Sequence, residues 1–175
     1  MEQRIERLKE FVKYKHYGQK RKYTNEPYYN HLENVALMAD EYVALGLEVG
    51  LCHDLLEDTN CSPSELAMFL LSIGYSAYET QRIVFMVIEL TDVYTNKVDP
   101  KYNRSVRKEL ERKRLSNISE DSQTVKYCDI IDNCSTIFKY DPNFSKIYLK
   151  EKQELLSVMD KGDKDLWEEA YDIVN

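Results

Sequence analysis

Leu51-Cys52-His53-Asp54-Leu55-Leu56-Glu57-Asp58-Thr59 is the segment around which the rest of the chain is organised. It places an imidazole and three carboxylates between apolar residues, at positions His53, Asp54, Glu57 and Asp58. Side chains three or four positions apart are neighbours on a helix, so all of these groups can face one pocket. Burying them without a partner would carry a large desolvation cost. The segment therefore predicts a buried site with a positive partner, and a divalent metal ion is the simplest such partner.

Length and charge limit the class of protein and the class of ligand. A chain of 175 residues has the size of one domain with a proper hydrophobic core, so we expect a single domain over residues 1–175. The formal net charge is −7, from 24 Lys and Arg against 31 Asp and Glu. This charge disfavours a nucleic-acid polymer as the main partner. A small phosphorylated molecule is the expected ligand.

The sequence has no apolar run of transmembrane length, and its first residues lack the apolar core of a signal peptide. We therefore expect a cytoplasmic protein that does not bind membranes. The cysteines show no C-x-x-C spacing, which predicts reduced, buried thiols. They are Cys52, Cys61, Cys128 and Cys134.

The scarcity of helix-breaking residues, with Gly at 5 and Pro at 4, favours an all-helical fold. Apolar periodicity and capping signals predict helices at about 2–16, 31–45, 47–56, 63–73, 77–90 and 102–115, one after Ser119, and two more at about 142–159 and 163–174. We expect Ser62 and Ser119 to cap the helices that follow them. We expect Gly46 to end the helix that begins near His31.

Two further residues are candidates for the metal site. His31 lies at a predicted helix start, where a histidine alone is more often a core residue than a ligand. Asp129 shares a helix face with Asn133 and lies among apolar positions, so its carboxylate needs a partner. Repulsion from the carboxylates near position 54 would be relieved by a cation between them.

Two basic stretches stand out in an acidic protein. A loop before His31 contains Arg21 and Lys22 together with several tyrosines, and the predicted helix at 102–115 contains Lys108 and Arg112. Each stretch is either a solvated surface or a binding surface for phosphates and a nucleotide base. The residue pattern leaves both interpretations open.

Two imidazoles and two carboxylates, from His31, His53, Asp54 and Asp129, suit a first-row divalent ion such as Mn2+, Fe2+, Co2+ or Zn2+. No cysteine closes the ligand set, so water can also bind, which favours hydrolysis. Glu57 and Asp58 exceed the number of ligands required. They are therefore candidates for orienting or deprotonating the attacking water.

This set of residues resembles the signature of the HD-domain phosphohydrolase superfamily. Within it, the surrounding sequence resembles the RelA/SpoT-type (p)ppGpp hydrolases, specifically the small alarmone hydrolases that include the metazoan SpoT homologues. The matching text is Gly18-Gln19-Lys20-Arg21-Lys22, Glu26-Pro27-Tyr28-Tyr29-Asn30-His31, Val35-Ala36, His53-Asp54-Leu55-Leu56-Glu57-Asp58-Thr59, Leu110-Glu111-Arg112-Lys113-Arg114-Leu115, and Val125-Lys126-Tyr127-Cys128-Asp129 with Asn133. These motifs occur in the family's order over about residues 14–135, and about 142–175 is a helical C-terminal extension.

The resemblance implies an all-α HD domain, a helical bundle with the metal site between helices. It implies Mn2+, or another divalent first-row metal, bound by His31, His53, Asp54 and Asp129. The implied reaction releases pyrophosphate from the 3′ position of guanosine 3′,5′-bis(diphosphate), ppGpp, or of pppGpp. Glu57 is the implied acidic partner of the attacking water.

The resemblance also implies the remaining roles around the substrate. Asp58 completes the acidic pair. Arg21 and Lys22 bracket the base or phosphates, Lys108 and Arg112 meet the diphosphate, and Asn133 contacts the nucleoside. The implied partner is a small nucleotide, with no nucleic-acid polymer and no membrane.

The sequence departs from the family in ways that leave other functions open. The first ligand is followed by Leu32, where family members usually have proline, and Tyr127-Cys128 and Ile131-Asp132 flank Asp129 where smaller or basic residues are common. One alternative is an HD-domain phosphohydrolase acting on the 2′-phosphate of NADPH, a nucleoside monophosphate or a cyclic nucleotide. A second alternative is a non-catalytic metal-binding or nucleotide-sensing module.

Overall fold

Helices account for the regular structure of the computed structural model, which describes residues 2–175 apart from the side chains at positions 2, 136 and 138. The chain divides into two compact units, the first ending at Thr91 and the second spanning Asp92–Asn175. The first unit contains α1 (Glu2–Lys15), α2 (Tyr29–Asp40), α3 (Gly46–Cys52), α4 (Leu55–Asp58), α5 (Pro63–Ser72) and α6 (Ala77–Leu90). The second contains α7 (Arg104–Leu115), α8 (Glu120–Tyr140), α9 (Pro142–Leu156) and α10 (Lys164–Val174).

The predicted all-α fold is confirmed, because no strand occurs in the described part of the chain and an isolated bridge pairs Lys20 with Pro27. One domain over residues 1–175 stays a prediction, and the two units are described separately. Across the described residues, no helix has the length and apolar character needed to cross a membrane. All four cysteines are buried and free, as predicted.

Side-chain caps fix the starts of several helices, because each satisfies a backbone N–H that has no partner within the helix. The Ser62 hydroxyl accepts a hydrogen bond from the Glu65 backbone N–H at 3.2 Å. Ser119 caps α8 in the same way, so both predicted caps are confirmed. Ser76 and Glu79 form a reciprocal capping box at the start of α6.

The contact between α2 and α3 is unusually close and depends on small residues. A Cβ atom at Gly46 would lie 2.1 Å from the Ala39 carbonyl oxygen, and one at Gly50 would lie 2.4 Å from the Ala36 Cα atom. Only glycine therefore permits the two backbones to approach this closely. The prediction that Gly46 ends a helix at about 31–45 was wrong: α2 ends at Asp40, and Gly46 is the first residue of α3.

The core of the first unit forms on both sides of this contact. Leu32 and Val35 of α2 and Val49 of α3 are fully buried. Helix α6 contacts both α3 and α4, with Ile83 and Val87 buried on its inner face. The apolar stripe of α6 thus supports the segment that the sequence identified as decisive.

Helix α8 is the centre of the second unit, and both α9 and α10 pack against it. The buried Tyr127 hydroxyl donates a 2.7 Å hydrogen bond to the Met159 carbonyl oxygen. Gly162 fits tightly against α8, since a Cβ there would lie 2.8 Å from the Thr124 backbone nitrogen. Trp167 of α10 donates a 3.0 Å hydrogen bond from Nε1 to the Leu156 carbonyl oxygen. These contacts fix the C-terminal helices to α8.

The substitution Gly50→Ala tests the close contact between α2 and α3. Alanine is the better helix former by up to about 1 kcal/mol, but its methyl group would overlap the backbone of Ala36. Overpacking of this kind costs about 1–3 kcal/mol, so we expect the free energy of unfolding to fall. Equilibrium unfolding in urea measures the change.

The matched control is Leu37→Ala, at an exposed position of α2. We expect its effect on the unfolding free energy to stay within about 0.5 kcal/mol. A Gly50→Ala protein as stable as the unsubstituted chain would contradict the proposed steric constraint.

Candidate metal centre

Three of the predicted ligands converge in the first unit. Single ligand atoms of His31, His53 and Asp54 all lie within 4.8 Å of one another. The Oδ2 atom of Asp54 is 3.1 Å from His53 Nε2 and 3.6 Å from His31 Nε2. Both imidazole side chains are 1% exposed, whereas Asp54 is half-buried. The cluster therefore has one open side, at the carboxylate.

A break in the helix presents these ligands. The sequence predicted one helix over about 47–56, but α3 ends at Cys52 and α4 begins at Leu55, so this prediction was wrong at residues 53–54. Asp54 adopts φ −99° and ψ 0°, the bridge region between helical and extended conformations. His53 and Asp54 form the junction between the two helices, and their side chains join His31 from α2. Glu57 and Asp58 follow on α4, outside the cluster of three.

The backbone of α3 orients His53. Its Nδ1 atom is 2.7 Å from the Gly50 carbonyl oxygen, which can only accept a hydrogen bond, so Nδ1 carries the proton. In the neutral imidazole, Nε2 then bears the lone pair and faces Asp54. A backbone carbonyl bound to the second ring nitrogen is the usual arrangement around metal-binding histidines.

Tyr28 orients the carboxylate. Its hydroxyl donates a 2.5 Å hydrogen bond to Asp54 Oδ2. Its ring stacks on His16, with ring centroids 5.4 Å apart, and meets His31 edge-on at 5.5 Å. His31 in turn meets His53 edge-on at 5.1 Å. The two histidines of the cluster thus belong to a continuous row of ring contacts that runs from His16 through Tyr28 and His31 to His53.

The donor set fits a divalent metal ion. The His53 lone pair and the Asp54 carboxylate are electron-rich atoms 3.1 Å apart, and they repel each other unless a cation is shared between them. A proton can bridge two such atoms, whereas the convergence of a third donor from His31 suits a metal ion. Nitrogen and carboxylate ligands without thiolate are typical of sites for first-row divalent ions that bind water.

The two acidic residues that follow the cluster are exposed, and one of them is hydrogen-bonded to Gln19. Glu57 and Asp58 both have exposed side chains at the end of α4. Gln19 donates a 3.3 Å hydrogen bond from Nε2 to Asp58 and accepts a 2.6 Å bond from His16 Nδ1. Desolvation, followed by repulsion from Asp54, raises the pKa of Asp58. Burial lowers the pKa of His16.

The predicted basic loop is a tight hairpin. The Arg21 backbone N–H donates to the Glu26 carbonyl oxygen at 2.9 Å, and the Tyr28 N–H donates to the Gln19 carbonyl oxygen at 3.0 Å. Arg21 is half-buried and Lys22 is exposed. Because Gln19 and Tyr28 at the base of the hairpin bind Asp58 and Asp54, the hairpin is attached directly to the cluster.

The fourth predicted ligand, Asp129, belongs to the second unit. It is buried on α8, with Oδ2 2.8 Å from Lys126 Nζ. Asn133 donates a 2.6 Å hydrogen bond from Nδ2 to Asp129 Oδ1. Asp129 thus has a cationic partner on its own helix. Its role as a metal ligand stays a prediction, as does contact of Asn133 with a nucleoside.

The remaining predicted cations lie on α7 in ion pairs. Lys108 Nζ is 3.3 Å from Asp92 Oδ2, and Arg112 pairs with Glu109 and Glu154. Burial alone would raise the pKa of Asp92, but the surrounding lysines, beginning with Lys126, outweigh burial and lower it. A phosphate-binding role for Lys108 and Arg112 stays a prediction, and it requires these pairs to exchange partners.

Sequence reasoning missed the residues that orient the ligands. They are Tyr28, which binds Asp54, and the carbonyl group of Gly50, which binds His53. Sequence reasoning also missed Lys126, the ion-pair partner of Asp129. Each lies three positions before a predicted ligand, at the spacing of neighbours on a helix. That spacing is a signal that the sequence did contain, although it does not show which of the nearby groups each residue binds.

Comparisons with known proteins give related sequences and a related fold. No protein-family model matches the chain. It is 33% identical over 158 residues to the guanosine-3′,5′-bis(diphosphate) 3′-pyrophosphohydrolase of Aquifex aeolicus, covering 86% of this chain and 20% of that protein. It is 27% identical over 149 residues to a probable enzyme of the same name from Mycoplasma pneumoniae, covering 81% of this chain and 19% of that protein.

A solved structure, described as a metazoan ortholog of SpoT that hydrolyses ppGpp, aligns with a TM-score of 0.79 at 20% identity. The alignment covers 97% of this chain and 93% of the other. The chain thus spans about a fifth of the length of its curated relatives and nearly all of this structure. The resemblance predicted from the motifs is therefore confirmed: the chain is related in sequence to guanosine-3′,5′-bis(diphosphate) 3′-pyrophosphohydrolases and has the fold of a metazoan SpoT ortholog.

Proposed function

We propose that this chain hydrolyses guanosine 3′,5′-bis(diphosphate), and its 5′-triphosphate form, releasing pyrophosphate from the 3′ position. The observation that carries the proposal is the cluster of His31, His53 and Asp54, with its ligand atoms within 4.8 Å. The names of the curated relatives support this choice of substrate. The small nucleotide is the expected partner of the site.

The ligands would be His31, His53 and Asp54, with Asp129 as the proposed fourth and Mn2+ as the proposed ion. The chemistry that a divalent ion supplies when bound is polarisation of a phosphoryl oxygen and a lowered pKa of bound water. The protein orients the donors in advance. The Gly50 carbonyl fixes the tautomer of His53, and Tyr28 holds the Asp54 carboxylate.

The proposed acidic pair handles the proton of the attacking water. Glu57 and Asp58 lie on α4, directly after the ligand Asp54, and both are open to solvent. The Glu57 carboxylate would accept this proton and thus act as the general base. The Gln19 amide holds Asp58 from the hairpin, which limits its side chain to the neighbourhood of Asp54.

The hairpin supports binding of the nucleotide. Arg21 offers a planar guanidinium that can stack on a base or bind a phosphate at two points, and Lys22 offers a point charge. We propose the same general role for Lys108 and Arg112 towards the diphosphate, and for Asn133 towards the nucleoside. A substrate with several phosphates can replace the carboxylate partners of Lys108 and Arg112, because it brings more than one negative charge.

The first experiment is incubation of the protein with Mn2+ and ppGpp, followed by separation of the products by anion-exchange chromatography. We expect GDP and pyrophosphate. Asp54→Ala removes the carboxylate shared by both imidazoles, so we expect loss of Mn2+ binding, measured by calorimetry, and loss of turnover.

The matched control for this loss is Asp40→Ala, which removes an exposed carboxylate at the end of α2. We expect it to retain both Mn2+ binding and turnover. Intact protein that binds Mn2+ but releases no pyrophosphate would contradict the proposed substrate and leave the metal centre supported.

Glu57→Gln tests the proposed general base. The amide keeps the shape of the side chain but cannot accept a proton, so we expect turnover to fall by about 10²-fold, with Mn2+ affinity retained. Single-turnover kinetics at saturating substrate measure the effect on the chemical step. Glu10→Gln, at an exposed position of α1, is the control. A fully active Glu57→Gln protein would exclude this role.

Tyr28→Phe tests how the Asp54 carboxylate is oriented. The substitution removes the hydroxyl that donates to Oδ2 but keeps the ring between His16 and His31. Loss of such an orienting group lowers metal affinity by about 10-fold or more. Mn2+ titration in a calorimeter measures this change, and Tyr14→Phe, at an exposed position, is the control. Equal Mn2+ affinities of Tyr28→Phe and the unsubstituted chain would show that Tyr28 does not position the ligand.

A further inference from the structure

A groove in the first unit lies next to the metal centre but is lined by other residues. It has a volume of about 520 Å3 and extends from the last turn of α1 along the hairpin to the first turn of α2. Its walls include Lys13, His16, Tyr17, Lys20, Tyr28 and Tyr29. The volume falls within the range of small-molecule sites. The groove is therefore large enough for a ligand of its own.

The walls combine aromatic faces with cations. Tyr17 is 91% exposed, so its ring is available for stacking, whereas Tyr29 is buried. The ammonium group of Lys13 lies 4.3 Å from the centroid of the Tyr29 ring. Lys20 contributes a second, exposed cation from the hairpin. A planar aromatic group with attached negative charge matches such walls, because a ring can stack on Tyr17 and phosphates pair with the lysines.

One amide group of the groove suits the edge of a nucleobase. Gln19, Asn30 and Glu33 also line the groove. Gln19 already binds Asp58 and His16, and Glu33 accepts a hydrogen bond from Tyr29. The exposed Asn30 amide offers both a donor and an acceptor, as required to bind the polar edge of a base. We propose that the groove is a second nucleotide site, which binds a nucleoside phosphate as an effector and not as the reacting substrate.

The site is connected to the metal centre through Tyr28. Tyr28 lines the groove, and its hydroxyl donates to Asp54. Gln19 forms a second connection, because it lines the groove and donates to Asp58. A nucleotide in contact with these two side chains changes the position or rigidity of the groups that they hold. This coupling rests on the proposed function, whereas binding in the groove does not.

The binding test is calorimetric titration of GDP without added metal. We expect GDP to bind the intact chain, and Tyr17→Ala to weaken its affinity by about tenfold through loss of a stacking surface. The matched control is Tyr14→Ala, which removes an exposed tyrosine that lies on α1 and outside the groove, and we expect it to leave the affinity unchanged. Ribose 5-phosphate, which lacks the base, should bind at least about tenfold more weakly than GDP.

Two further comparisons separate the groove from the proposed substrate site. GDP bound in the groove keeps its affinity in Arg21→Ala and loses it in Tyr17→Ala. Two results would overturn the second site. One is equal GDP affinity of Tyr17→Ala and the intact chain, and the other is no binding of GDP at millimolar concentration.

The coupling is measured as the ratio of ppGpp turnover with and without saturating GDP in each protein. Competition at the substrate site appears in every variant alike. A component of the GDP effect that persists in Tyr14→Ala and disappears in Tyr17→Ala supports the coupling, and identical ratios in both variants overturn it. If ppGpp is not hydrolysed at all, the calorimetric result still decides whether the groove binds the nucleotide.

Discussion

The close approach of α2 and α3 is the constraint on which the rest of the site depends. Gly46 and Gly50 lie against Ala39 and Ala36, and a single added methyl group would overlap a backbone atom. This contact fixes the distance between the helix that carries His31 and the helix that ends at the junction of His53 and Asp54. Because protein interiors are close-packed, a larger residue here would displace one set of ligands relative to the other.

The ligands themselves are held by groups that bind no metal. Gly50 fixes a proton on His53, and Tyr28 holds the carboxylate of Asp54. Such groups fix the protonation of the histidine ring and the orientation of the carboxylate before a metal ion binds. They leave the buried Nε2 atoms of His31 and His53 directed at the place where a cation would bind.

The same features connect the metal centre to its surroundings. The hairpin that carries Arg21 and Lys22 begins and ends at residues that bind Asp58 and Asp54. The groove beside the hairpin is lined by these same two residues, Gln19 and Tyr28. The proposed metal, substrate and effector sites are thus connected through the hydrogen bonds of Tyr28 and Gln19.

Local patterns in the sequence were enough to predict the all-α class, most helix starts and the residues of the cluster, because caps, apolar periodicity and the His-Asp pair are all local. The role of these residues as metal ligands stays a prediction. It did not show the break between α3 and α4, which sets Asp54 at a helix junction. Nor did it show that Tyr28 reaches Asp54, 26 residues further along the chain. The contact of Tyr28 with Asp54 joins segments distant in sequence, and the break at residues 53–54 places two side chains beside His31 of α2. Both features depend on the packing of the folded chain, because no local pattern encodes which side chains face each other across it.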